Sequence, residues 1–153
     1  MRLNILTTVL LLNAFILVSD GFASIPRIFN HELISATGWR AIDWSLIERI
    51  IVSEAAAEGY WGMYAVGCVL RNRDFDVSGF SSVGRIDLLD FYGAQPEQVR
   101  DNAAAIVQSL RSGAPDITHG ATHFENIEIF GLPYWAEGMT ATIKIGQHTF
   151  WRE

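Results

Sequence analysis

The sequence predicts a small α+β domain, a mainly helical core with a short antiparallel sheet or hairpin in its C-terminal third. Three observations predict it. Apolar residues recur at helical spacing in three stretches between Ile47 and Leu110. After Thr118 the pattern changes to short alternating runs. Gly146-Gln147 then joins two strand-like segments as a two-residue hairpin loop. The chain has 153 residues, half of them hydrophobic and 18% charged, which is one domain's worth with a sizeable core.

The N-terminus reads as a targeting segment. Arg2 supplies a positive start, Ile5 to Val18 is an apolar run, and Gly21-Phe22-Ala23 places small residues where a signal peptidase reads them. The expectation is a signal peptide over 1–23 and an exported chain starting at Ser24; retention as an uncleaved membrane anchor is the alternative. Residues 24–42 read as a linker, with a short helical turn around Phe29 to Ser35, and 43–153 as the functional domain.

The first helix starts near Asp43. Ser45 with Glu48 fits a capping box, and Asp43 is the competing cap; Gly59 is the expected stop. The second helix runs from Tyr60 or Trp61 to Arg73, apolar nearly all round, and is therefore central. Asp74 to Gln95 is punctuated by Gly79, Gly84 and Gly93, with Ser81-Ser82 adding flexibility. Ile86 to Phe91 fits a short helix or a strand, and such a stretch suits one wall of a cleft. The third helix is Pro96 to Arg111, with Pro96 at its first position, a stripe of Val99, Ala103, Ile106, Val107 and Leu110, and Gly113 as its stop. Thr118 to Phe124 and Ile127 to Phe130 suit a small sheet or ordered loops. Thr140 to Ile145 and His148 to Trp151 read as a hairpin with a type II′ turn.

The formal charge of −6 argues against a nucleic-acid partner, because phosphate binding needs clustered Lys and Arg. It also argues against electrostatic docking on anionic lipid. Cys68 is the single cysteine, sits in an apolar run and reads as a buried structural thiol.

Glu54 follows Ile47, Ile50 and Ile51 at seven, four and three residues, so it projects from their apolar face. A carboxylate there must be paired, neutral or turned into a cleft. The third option makes Glu54 a candidate general acid, its proton held by partial burial among Ile, Trp and Tyr; a salt bridge to Arg71 or Arg73 is the structural alternative. Glu58 follows one turn later, as a groove residue, as a solvent-facing helix-end acid, or as an anchor that holds the following loop by accepting backbone N–H bonds. His119 and His123 share an H-x-x-x-H spacing, with His148 further on, but Gly120-Ala121-Thr122 between them does not read as helix and the zincin glutamate is absent. Trp135 and Tyr134 follow Pro133 in a turn suited to contact with a sugar. Trp39, Trp44, Trp61 and Trp151 read as core by default.

Two separated blocks resemble a known family. Ile50 to Arg73, with Glu-Ala-x-x-Glu-Gly, aromatic-Gly, Ala-Val-Gly and Asn-Arg elements, is similar to the opening of the SleB/CwlJ-like cell-wall hydrolase domain. Gly120-Ala121-Thr122-His123-Phe124, Trp135-Ala136 and Ile145-Gly146-Gln147-His148-Thr149-Phe150 are similar to its second half, in order. Between the glutamates stand Ala55-Ala56-Ala57, where the family often carries Arg-Gly. The resemblance implies a lysozyme-related domain acting on peptidoglycan between N-acetylmuramic acid and N-acetylglucosamine as a lytic transglycosylase. It implies Glu54 as the catalytic acid/base, with Glu58, Thr122, His123, Phe124, Trp135 and His148 lining or supporting the cleft. The partner is then peptidoglycan, the chain a secreted or wall-associated monomer, and no cofactor or metal is called for. The rivals are a zinc-dependent wall hydrolase or amidase using His119, His123 and His148, and a non-catalytic wall-binding protein.

Overall fold

The computed structural model describes residues 41–85 and 87–153. The expected signal peptide, the expected helical turn around Phe29 to Ser35, Trp39 and all but the last two residues of the expected linker lie outside the described residues. Among the described residues, no helix is long and apolar enough to cross a membrane.

The fold is α+β, a helical core with a three-stranded antiparallel sheet at the C-terminal end. Helix α1 spans Trp44–Ala55, and Asp43 wins the capping contest: its Oδ1 accepts from the N–H groups of Ser45 and Leu46 at 3.1 Å each. A 3-10 turn, Ala56–Glu58, follows, and α2 runs Gly59–Asn72. Gly59 (φ +69°) marks the corner as expected, and it also starts the next helix. Helix α3, Leu88–Ala94, settles the open choice between helix and strand. Helix α4 is Glu97–Arg111, with Pro96 as its cap rather than its first residue, because the Pro96 carbonyl already accepts from Val99 and Arg100. Beyond it, Gly113 and Ala114 donate back to Leu110 and Ser109, closing the helix end.

Helices α1, α2 and α4 meet at Gly67, where a Cβ would stand 2.7 Å from Leu110 Cδ1 and 3.4 Å from Ile51 Cδ1. Ile47, Ile50, Ile51, Val66, Leu70, Ala103 and Ile106 fill the core around it. The expected helical stripes are buried there, with Val99 half-buried at the edge. Trp61 corrects the core reading. It is 63% exposed, because burial along α2 begins only at Gly62 and its first turn stands clear of the other helices. Trp44 is half-buried edge-on against Phe75, and Trp151 is buried.

The sheet comprises β1 (His123–Glu125), β2 (Thr140–Ile145) and β3 (His148–Arg152), in the order β1-β3-β2. Ile145 pairs with His148 across Gly146-Gln147, and only the glycine has positive φ, as a type II′ turn requires. Ile127–Phe130 forms a single helical turn, α5, rather than a strand or plain loop, because the Asn126 side chain caps it. Phe150, fully buried, joins the sheet to the helical core.

The polar end of α2 grips the segment leading into the sheet. Tyr64 O–H donates to Pro115 O at 2.8 Å, Arg71 donates to Ala114 O, and Asn72 Nδ2 donates to Ala121 O at 2.9 Å. Asp116 accepts from the Thr118 hydroxyl and N–H, the Gly120 N–H and Asn72. Burial alone would raise its pKa, but these donors outweigh it and hold the carboxyl down at about 2.

Because that value lies below the ordinary 3.8, the ionised Asp116 contributes stability above pH 3.8, and the contribution is lost as pH falls through about 2. Asp116→Asn should therefore lower the urea midpoint at neutral pH, and the gap to wild type should close by about pH 2. Urea unfolding of both proteins across that range checks this.

Candidate functional site

Glu54 stands on the last full turn of α1, half-buried, with Ile47, Ile50 and Ile51 buried on the same face. It lines an open cleft of about 490 Å³ together with Ser53, Ala57, Phe91, Gln95 and Val99. The opposite wall comes from α3 and the start of α4, so the middle stretch does build one wall of a cleft.

The salt bridge to Arg71 or Arg73 does not form. Arg71 is spent on Ala114, and Arg73 donates to Ser78 O while its guanidinium lies 5.0 Å from the Phe80 ring. Glu54 Oε1 instead accepts from the Ser82 N–H at 2.9 Å and the Ser81 hydroxyl at 3.1 Å. Ser81 and Ser82 open a 3-10 turn, Ser81–Gly84, that rests on α1. Ser82 is 1% exposed while Ser81 is exposed, and the two form an ordered 3-10 turn bonded to Glu54 rather than the flexible element expected from their composition. Arg85, bonded to Asp87 and stacked 4.6 Å from the Phe91 ring, adds a positive charge near Glu54 without pairing with it.

Glu58 Oε2 accepts the Gln147 N–H at 2.8 Å. Two glycines make room for this bond. A Cβ on Gly62 would lie 2.1 Å from Glu58 Cβ, and one on Gly146 would lie 2.0 Å from Glu58 Oε2. Glu58 is an anchor accepting a backbone N–H, but what it holds is the distant β2–β3 hairpin turn and not the loop that follows it. Gln147 in turn accepts from Asn126 Nδ2 at 2.9 Å.

A circuit of contacts closes around Glu54. It passes to Ser81, to the adjoining Phe80, across 5.9 Å to Phe124 and 5.0 Å to His148. Gln147 and Glu58 then lead back to α1 one turn beyond Glu54. His148 is half-buried, and its Nδ1 is buried with no hydrogen-bond partner among the described residues.

Strand alternation splits the remaining residues. Phe124 pairs with Phe150 on the face turned to the helices, and His148 shares that face. His123 pairs with Trp151 on the other face, where Trp135 lies 5.1 Å from the His123 ring and 5.4 Å from the Trp151 ring. Thr122 Oγ1 contacts His123 Nδ1 at 3.0 Å, and both line a second cleft of about 510 Å³ with Asn72, Arg73 and Arg152. Burial foremost, then the Arg73 charge, pulls the His123 pKa below its ordinary value. His119, His123 and His148 do not converge, and no group of three metal-capable side chains forms among the described residues. Cys68 is buried, and burial pushes its thiol up to about 11, the state of an inert core residue. The sequence offered no signal for the Ser82 donor, because a backbone N–H has no side-chain signature.

No family model matches the chain, and no curated protein matches it. Among solved structures, it is similar to the crystal structure of the catalytic domain of the Bacillus cereus SleB protein. The TM-score is 0.52 at 21% identity, over 72% of this chain and 89% of that domain. The shared property is the fold.

Gly146→Ala forces a Cβ onto Glu58 Oε2 at a left-handed backbone position. It should cost about 1–3 kcal/mol of stability, read as a lower denaturation midpoint at unchanged m-value.

Proposed function

We propose that this chain is an exported member of the SleB/CwlJ-like group that cleaves peptidoglycan glycan strands, with Glu54 as general acid and base. The observation that carries the reading is Glu54 itself. It is a half-buried carboxylate on an apolar helix face, open to a cleft and held by hydroxyl and amide donors rather than by a cation. The fold shared with the SleB catalytic domain supports it, as do the two sequence blocks, which meet where Glu58 accepts the Gln147 N–H.

In this reading the strand lies in the cleft and protonated Glu54 gives its proton to the glycosidic oxygen as the bond breaks. The resulting carboxylate takes a proton from the muramic 6-hydroxyl, which closes an anhydro ring. One residue serves both steps, so Glu58 is free to remain the anchor of the hairpin. Phe124 and His148 support the site from the sheet, while Thr122, His123 and Trp135 form a separate surface that extends contact with the polymer. The apolar N-terminal segment carries the domain, as a monomer, to the wall.

Mass spectrometry of purified sacculi after digestion is the test. Wild type should release anhydro-muropeptides, and Glu54→Gln should lower the rate by at least about 100-fold while keeping its fold by circular dichroism. Full activity in Glu54→Gln would refute the assignment.

A further inference from the structure

We propose that the Ser81–Ser82 turn decides which oxygen of Glu54 handles the proton. Oε1 is a permanent acceptor, and Oε2 is the oxygen that gives the proton up and takes it back. The Ser82 N–H lies 2.9 Å from Oε1 and can only donate. A proton on that lone pair of Oε1 would point at the donor, so the lone pair accepts whether the carboxyl is charged or neutral. The Ser81 hydroxyl lies 3.1 Å from Oε1 and 3.4 Å from Oε2, so its better contact falls on the same oxygen. With the Ser82 N–H and the shorter Ser81 contact on Oε1, Oε2 is the less engaged oxygen of the two.

The clamp is held by packing. Phe80, immediately before the turn, is 7% exposed in the core, and Ser82 is 1% exposed. The Ser82 N–H is therefore fixed by packing when a substrate enters, while Ser81, exposed beside it, is placed by the backbone of the same turn.

The kinetic consequence rests on the glycan-cleaving reading. In the first half-reaction the Oε2 proton moves to the glycosidic oxygen, which also keeps the electron pair of the breaking C1–O bond. In the second, the muramic 6-oxygen bonds to C1 and its proton returns to Oε2. Glu54 ends as it began. Ser81 is a positioning residue here and touches no substrate.

Kinetics on soluble glycan strands test the role. Ser81→Ala should lower kcat about 10-fold with KM within about 2-fold, and Ser81→Thr, which keeps the hydroxyl, should recover most of the loss. A wild-type kcat in Ser81→Ala, or a Ser81→Thr as slow as Ser81→Ala, overturns the clamp. A second measurement needs no turnover. In denaturant unfolding, Ser81→Ala should lower the folding equilibrium constant about 5-fold beside Glu54 and far less in a Glu54→Ala background. Equal losses in the two backgrounds also overturn it. If wild type cleaves no glycan, that reading fails on its own account and the unfolding cycle alone decides the clamp.

Discussion

The carboxylate of Glu58 reaches from the corner between α1 and α2 to the backbone of the β2–β3 turn, and the placement of the sheet depends on that reach. A charged acceptor gains more from an N–H than a neutral one does, and this one sits where two chain segments must come unusually close. Gly62 and Gly146 allow the approach by having no Cβ. The same sheet carries His148, Phe124 and the buried Phe150 on the face turned to the helices. Glu54, one turn back along α1, faces a cleft walled by α3 and the start of α4.

The middle of the chain completes what the two ends begin. Its Ser81–Gly84 turn supplies both hydrogen bonds to Glu54, and α3 supplies Phe91 and the edge of the cleft. These contacts use a backbone N–H, a single hydroxyl and one ring face, none of which demands a recognisable motif. A segment can therefore drift far in sequence while keeping the geometry that Glu54 needs.

The site was legible in part. Glu54 could be found because an acid at i+3, i+4 and i+7 from three isoleucines violates an apolar stripe. The hairpin could be found because Gly146-Gln147 is a turn signature between strand-forming runs. Trp61 could not be placed, since an aromatic at the first turn of an apolar helix reads the same whether or not a neighbour covers it. His123 and Phe124, adjacent in sequence, were grouped together, yet one-residue alternation sends them to opposite faces of β1.

Local periodicity and turn chemistry encode the three long helices, the hairpin, the fold class and the anomalous acid, whereas α3 and α5 are too short to carry a distinct period. What Glu54 touches, which histidine shares the sheet face turned to the helices, and the hold of Glu58 on the hairpin turn come from tertiary structure alone. Those outcomes depend on contacts between residues 27 to 89 positions apart. No local pattern encodes such pairings; the packing of α1, α2 and α4 around Gly67 and the burial of Phe150 bring them about.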